Sequence, residues 1–221
     1  MRWSLVVVSI GLLVAGCNQS TLETASDANL TPRDRALLAH APYAKATIPQ
    51  TFQRHIVDYT GREKPGTIVV DTSARFLYYV MPKGKAIRYG VTVGEQGQAW
   101  SGVAQVGRLA EWPDWIPTSD IQKRLGPYPS RVAGGPRNPL GSRGIYLYEG
   151  GKDTLYRIHG TNQPEYIGQA ISSGCIRLTN ENAIDLYNRV KVGTTVVVLA
   201  RGQGDSPFSA KLALSGPGQD R

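Results

Sequence analysis

One histidine and one cysteine stand out in this sequence because together they could carry out acyl transfer. His159 ends an apolar, strand-like segment at 155–158, and Cys175 lies further along the chain, beyond the reach of a single helix. A thiol is a poor nucleophile until it loses its proton, at an ordinary pKa of about 8.5, and a neighbouring imidazole is the usual proton acceptor. The two residues are therefore a candidate nucleophile and base.

The residues between and beside this pair favour a loop that folds back. Residues 162–168 contain Asn, Pro and Gly, which are typical of a reversing chain. The small residues at 172–174 would let the backbone approach a substrate and direct the N–H groups of Gly174 and Cys175 at an oxyanion. A different reading is equally compatible with these residues, in which Cys175 is a buried free cysteine and His159 is satisfied by a backbone carbonyl.

A resemblance to a known family favours the catalytic reading. The segments His-Gly-Thr-Asn at 159–162 and Ser-Ser-Gly-Cys-Ile-Arg-Leu at 172–178 resemble the signature of the L,D-transpeptidase catalytic domain, the YkuD-like family. The likeness extends over about 67–199. It implies that Cys175 is the nucleophile, that His159 is the base, and that the carbonyl of Gly160 orients the imidazole. Many members carry a second histidine where this chain has Ser173, so His159 is the base that this motif supplies.

The resemblance also implies a reaction. The Cys175 thiolate would attack the carbonyl of the third residue of a peptidoglycan tetrapeptide stem, the terminal D-alanine would leave, and an amine of a neighbouring stem would resolve the thioester. Ser173 and Arg177 are expected to contact substrate, although Arg177 could instead form a structural pair beneath the loop.

Three other functions remain compatible with the motif. If water resolves the thioester, the enzyme is an L,D-carboxypeptidase; if a protein lysine does, it attaches an outer-membrane protein to peptidoglycan. In the third, the chain is a peptidoglycan-binding outer-membrane lipoprotein with an inert cysteine. Thiol reactivity separates this last function from catalysis, since a catalytic cysteine is expected to have a lowered pKa.

The N-terminal residues have the character of an export signal. Residues 1–16 carry one arginine and an apolar run too short for a membrane span. The run ends Leu-Val-Ala-Gly-Cys at 13–17, which resembles a bacterial lipobox and predicts lipidation of Cys17; the alternative is an ordinary signal peptide with an accidental cysteine. Asn18 follows where an aspartate would suggest inner-membrane retention. We therefore expect a periplasmic protein that is lipid-anchored to the outer membrane.

The cysteine and histidine count bears on cross-links and metals. If Cys17 is lipidated, Cys175 has no disulfide partner. A free thiol in an exported protein is easier to explain if the thiol is catalytic. His40, His55 and His159 are scattered, without the spacing of zinc ligands. The sequence therefore predicts no metal site and no cofactor.

The chain divides into five segments: a signal peptide at 1–16, a flexible tether at 17–30, an N-terminal helix and extended lead-in at 31–66, a catalytic domain at 67–200 and a flexible tail at 201–221. The predicted fold is mainly β with minor α, a YkuD-like β-sandwich or mixed sheet with one or two short helices. Strands are predicted at 67–71, 76–81, 86–93, 103–109, 145–148, 155–159 and 195–199.

Two helices are indicated by capping residues and apolar spacing. The first begins after Thr31 and ends near His40, which is expected to be a solvated polar group there. The second follows Thr179, with apolar residues at helical spacing through 183–190. His55 is expected to face solvent from an edge strand.

A long, proline-rich connection at 111–144 contains Trp112 and Trp115. Loops of this length in compact domains are usually functional or disordered, and aromatic residues argue against disorder. We therefore predict a lid over the Cys175 cleft in which both tryptophans contact substrate; the alternative is that they only anchor the core. The glycine-rich stretch at 134–141 is expected to be a turn at the cleft rim.

The formal net charge of +8 is spread along the chain. Export excludes nucleic acid as a partner. A basic surface suits an anionic polymer with free carboxylates, such as peptidoglycan stems, and it also suits simple solubility.

Overall fold

The computed structural model describes residues 21–22, 30–43, 46–95, 100–126 and 129–202. Within them lie three α-helices, α1 (Pro32–Ala39), α2 (Ser119–Leu125) and α3 (Asn180–Arg189), and 3-10 helices at Gln50–Phe52 and Pro164–Tyr166. The strands are β1 (Thr21–Leu22), β2 (His55–Asp58), β3 (Ile68–Asp71), β4 (Phe76–Met81), β5 (Lys85–Gly90), β6 (Val93–Gly94), β7 (Gly102–Glu111), β8 (Arg143–Glu149), β9 (Lys152–His159), β10 (Ala170–Ser172), β11 (Ile176–Arg177) and β12 (Thr195–Leu199).

Ten of these strands form one mixed sheet in the order β1-β2-β5-β4-β3-β12-β7-β8-β9-β11, and β6 and β10 form a small parallel sheet. The strands β2 to β5 pair antiparallel, as do β12, β7, β8 and β9. Parallel pairing of β3 with β12 joins these two groups, and β11 pairs parallel with β9. The prediction of a mainly β fold with few short helices is confirmed.

The core lies where the sheet meets α3. Apolar side chains of most strands of the large sheet, together with Ala183 and Leu186 of α3, form one buried cluster. The Thr179 hydroxyl accepts from the backbone N–H of Asn182 at 3.3 Å and caps the helix. Because this helix follows Cys175 closely in sequence, its packing fixes the far end of the cysteine loop.

The lead-in segment is part of the folded unit. Its strand β2 pairs with β5, and Thr31 and Asp34 form a reciprocal capping box at the start of α1. The expectation for His55 was wrong: its side chain is 8% exposed, and its Nδ1 lies 2.9 Å from the carbonyl oxygen of Gln53. His40 is exposed at the end of α1, as predicted.

Several predictions fall outside the described residues. They concern the signal segment, the Cys17 lipid site, most of the tether and the tail beyond 202. In the stretches that are described, none of the helices has the length and apolar character needed to cross a membrane.

Candidate active site

Strand pairing places the predicted nucleophile and base side by side. Ile176 of β11 pairs with Ile158 of β9, and Arg177 pairs with His159. Both isoleucines are buried in the core. Because side chains alternate along a strand, His159 and Cys175 extend from the other face, as diagonal neighbours on adjacent strands. The two residues that the sequence singled out are therefore brought together by the sheet.

The ring of His159 is oriented by the residue that follows it. Its Nδ1 lies 2.5 Å from the carbonyl oxygen of Gly160, and the side chain is 4% exposed. A carbonyl can only accept a hydrogen bond, so Nδ1 carries the proton and Nε2 keeps its lone pair. The geometry thus fixes the tautomer in which Nε2 can accept a proton from a neighbouring thiol.

Gly160 is crowded on the side where another residue would carry its Cβ. That atom would lie 2.9 Å from the backbone nitrogen of Ser142 and in closer conflict with Oδ1 of Asn180. Asn180 holds this corner by accepting from the Ser142 N–H at 2.8 Å and donating to the carbonyl of Thr161 at 2.9 Å. The sequence shows only that the next residue offers a carbonyl; the need for glycine comes from contacts with distant residues.

We expect Gly160→Ala to slow acylation of Cys175 by at least tenfold and to destabilise the fold by about 1–3 kcal/mol, the usual cost of overpacking. The added methyl group must displace Asn180 or tilt the carbonyl that holds His159. Mass-spectrometric acylation rates and urea unfolding measure both effects. Gly150→Ala is a control for the acylation rate, because no atom lies within 4 Å of its added Cβ; its φ of 55° still costs an alanine some stability. If Gly160→Ala acylates at the rate of the native protein, the contacts of Gly160 with Asn180 and Ser142 do not control His159.

The structure keeps both members of the pair neutral at rest. Burial, together with the positive charges of Arg177 and Arg157, lowers the pKa of His159 to about 3, although its hydrogen bond to Gly160 opposes the shift. Burial also raises the pKa of the Cys175 thiol, against the opposing influence of Arg157 and Arg177. The expectation of a lowered thiol pKa was therefore wrong, because desolvation outweighs the nearby charges. Proton transfer must occur within the pair.

The loop before Cys175 is tied by a serine. The Ser172 hydroxyl donates to the carbonyl oxygen of Cys175 at 2.6 Å and accepts from the N–H of Gly174 at 3.2 Å. Gly174 has a φ of 115°, which side-chain-bearing residues rarely adopt. The Gly174 N–H is one of the two predicted oxyanion donors, and here it is hydrogen-bonded to Ser172. An oxyanion that accepts from this N–H would have to displace the serine hydroxyl. Ser173 is half-buried.

Arg157 belongs to the site, although the motif did not identify it. Its backbone lies near Cys175 and acts to lower the pKa of that thiol. Its guanidinium pairs with Asp153 at 2.7 and 2.9 Å and lies over the ring of Tyr146, 4.4 Å from the centroid, while Arg108 stacks on the same ring at 3.7 Å. A signal was present in the sequence, since Arg157 lies two residues before His159 and so shares its face of the strand.

Arg177 also lies beside the catalytic pair. Its backbone N–H and carbonyl both bond to Thr92 at 2.9 Å, and its Nη1 lies 3.4 Å from Oε1 of Gln163. Its charge contributes to the lowered pKa of His159. The backbone bonds give Arg177 a structural role, and the half-buried side chain remains a predicted contact for a substrate carboxylate.

The structure places Trp112 differently from the prediction. Its side chain is 4% exposed, and its Nε1 donates to Oδ1 of Asp34 at 2.8 Å. Trp112 is therefore a buried anchor, and its assignment as a substrate contact was wrong. Trp115 is half-buried and exchanges two backbone hydrogen bonds with Val132, at 2.8 and 2.9 Å, across the base of the connection. Its substrate contact stays a prediction.

The rest of the connection is held close to the site. Asn138 is fully buried and donates to the carbonyls of Pro113, Val132 and Ala133 at 2.9 to 3.1 Å. The predicted turn at 134–141 reaches the histidine loop, because the carbonyl of Arg137 accepts from Asn162 at 3.0 Å. The base of the connection is thus fixed beside the site, while the lid function stays a prediction.

Residues 65–198 match the family model of the YkuD L,D-transpeptidase catalytic domain. The chain belongs to this family. The match includes both signature segments, so the resemblance carried by the motif is confirmed. His159, Gly160 and Cys175 therefore lie within a YkuD-family domain, whereas α1 precedes the matched region.

The chain is also similar to curated relatives described as probable L,D-transpeptidases and to a solved structure. The chain is 36% identical to a probable L,D-transpeptidase ErfK/SrfK of Escherichia coli K12, over 71% of this chain and 49% of the relative. It is 35% identical to a probable L,D-transpeptidase YbiS of the same strain, over 67% and 48%. A structure described as a probable carnitine operon oxidoreductase CaiA from Brucella melitensis is 49% identical, covers 69% of this chain and 96% of that one, and has a TM-score of 0.46. The chain spans about half the length of the curated relatives it matches.

Proposed function

We propose that this protein is an L,D-transpeptidase that cross-links peptidoglycan stems through a thioester on Cys175. The observation that supports the proposal is the histidine geometry: the Gly160 carbonyl fixes the proton on Nδ1 of His159, and the strand register makes His159 and Cys175 diagonal neighbours. This is the arrangement that an activated thiol requires. Membership of the YkuD family supplies the substrate class, peptide stems of peptidoglycan.

The neutral pair defines the order of proton movements. As the sulfur of Cys175 bonds to the carbonyl carbon of the third stem residue, its proton moves to Nε2 of His159. The imidazolium then protonates the amine of the terminal D-alanine as the C–N bond breaks. In the second half, His159 accepts a proton from the attacking stem amine, the C–S bond breaks, and His159 returns that proton to the sulfur to restore the thiol.

The low pKa of His159 suits this sequence of steps. A buried imidazolium with Arg157 and Arg177 close by is unstable and gives up its proton readily. The same charges, together with the nearby backbone of Arg157, favour the thiolate that forms transiently. The His159 imidazolium and the Cys175 thiolate therefore exist only during the reaction.

The acceptor and the location complete the proposal. A stem amine is our first choice as acceptor, because the family is that of L,D-transpeptidases, and water or a protein lysine are the alternatives. We also propose that Cys17 carries a lipid that holds the domain at the outer membrane, on the strength of the lipobox-like sequence. Labelling with radioactive palmitate, with Cys17→Ala as control, tests the anchor separately from the chemistry.

Incubation of purified protein with tetrapeptide stems, followed by mass spectrometry, tests the enzymatic proposal. We expect a thioester on Cys175 that has lost D-alanine, then cross-linked dimers, and neither product in Cys175→Ala. Tripeptides without dimers would identify a carboxypeptidase. An adduct on Ser173 with Cys175 still alkylatable would show that the nucleophile is the serine, and no adduct of any kind would leave a binding protein.

A further inference from the structure

We propose that Asp34, which lies before the family domain, is a positioning residue for His159 and acts through Arg143 and Gly160. The proposal rests on the proposed function for its kinetic consequence, whereas its structural consequence can be measured in any case. It follows that α1 completes the active site of a domain whose family match begins only at residue 65.

The contact between Asp34 and Arg143 is bidentate and buried. Nη1 of Arg143 donates to Oδ1 of Asp34 at 2.9 Å, and Nη2 donates to Oδ2 at 2.8 Å. Each of the two residues is 1% exposed. A planar guanidinium meeting both carboxylate oxygens is the most directional ion pair that side chains form. The pair therefore fixes both position and angle.

Further contacts lock the carboxylate in place. Thr31 donates to Oδ2 of Asp34 at 2.8 Å and Trp112 to Oδ1 at 2.8 Å. Burial alone would raise the pKa of Asp34, but hydrogen bonds from Arg143, Thr31 and Trp112 lower it to about 2. Asp34 is thus ionised at neutral pH and joins α1, the long connection and β8 at one point.

A short path leads from Arg143 to the catalytic histidine. The backbone carbonyl of Arg143 accepts from the N–H of Gly160 at 3.0 Å, and the carbonyl of Gly160 holds Nδ1 of His159. The Arg143 side chain also donates to the carbonyl of Ser142, at 2.8 Å, and Ser142 packs against Gly160. The position of the Gly160 peptide, and with it the histidine tautomer, therefore depends on where Arg143 sits.

Loss of the acid would leave a buried guanidinium without its counter-charge. Such a group is costly and moves towards water, whereas removal of both partners is much better tolerated. In Asp34→Asn, we expect Arg143 to shift, the Gly160 carbonyl to tilt and His159 to populate the other tautomer. A purely structural role would instead lower stability and leave the tautomer of the folded molecules unchanged.

Acylation kinetics and nitrogen NMR of the full chain test the proposal. For Asp34→Asn we expect Cys175 acylation by a carbapenem to slow at least tenfold and the His159 ring signals to lose the pure Nδ1-protonated pattern. Asp58→Asn is the matched control: it breaks a solvent-exposed pair with Lys85, between β2 and β5, and should change neither readout.

A double variant separates positioning from folding. We expect Asp34→Leu with Arg143→Leu to regain thermal stability relative to Asp34→Asn while acylation stays slow and the tautomers stay mixed. If this stable double variant acylates Cys175 at the rate of the native protein and keeps the native His159 NMR pattern, the proposal is overturned. If the unaltered protein itself does not acylate, the proposed function fails instead, and the His159 tautomer still decides whether Asp34 positions the ring.

Discussion

Replacement of His159 by glutamine is expected to slow acylation of Cys175 at neutral pH by about a thousandfold, within the range that a positioned base contributes. Burial raises the pKa of the Cys175 thiol, so almost no thiolate exists without a proton acceptor. Glutamine keeps much of the volume of the imidazole but cannot accept the thiol proton and return it. Rapid-quench mass spectrometry with a β-lactam or a tetrapeptide stem measures the rate.

The pH dependence of the same variant sharpens this prediction. As the pH rises towards and beyond the raised pKa of Cys175, the thiolate forms without help, so the deficit of His159→Gln should shrink. Ser173→Ala is the control, and we expect at most a few-fold change because a serine hydroxyl does not titrate in this range. An equal loss in both variants, or a deficit independent of pH, would remove His159 from its role as the base.

The second large effect is an acid-dependent loss of stability that originates at His159. The pKa of the ring is about 3 in the folded chain and about 6.5 in an unfolded one. Between these values the unfolded state binds a proton that the native state does not, so stability is complete above pH ~6.5 and falls as the pH drops towards 3. The slope is at most about 1.4 kcal/mol per pH unit.

Urea unfolding from pH 7 to pH 4 measures this slope. We expect the pH slope of the free energy of unfolding to be smaller in His159→Gln, by up to about 1.4 kcal/mol per pH unit. The stabilities of the two proteins therefore converge as the pH falls. Cys175→Ser retains the buried imidazole and should keep the unmodified slope. Parallel stability curves for the native chain and His159→Gln would show that the ring is not held neutral by its surroundings.

The residue pattern was sufficient for much of the fold. Runs of β-branched and aromatic residues predict seven of the observed strands to within a few residues, because alternation and turn residues are local properties. The short strands β10 and β11 on either side of Cys175 were not predicted. The capping hydroxyls of Thr31 and Thr179 predict the starts of α1 and α3 for the same reason. By contrast, His55 was assigned to solvent, since burial of a strand residue depends on which neighbours cover it.

The sequence by itself also determined the chemistry at the centre of the site. His159 and Cys175 are identified by residue type and by the small residues around the cysteine, because nucleophilic catalysis demands those types. The path back from one to the other follows from turn residues at 162–168, where the structure has the 3-10 helix Pro164–Tyr166.

Only the tertiary structure decided how that chemistry is controlled. The glycine at 160 is required by Asn180, the sulfur of Cys175 meets Arg157 through strand register, and Trp112 is buried against Asp34. The direction of the Cys175 pKa shift likewise depends on burial, which no local pattern records. In each case the deciding partner lies far away in sequence, and its position is set by packing of the whole sheet rather than by the neighbouring residues.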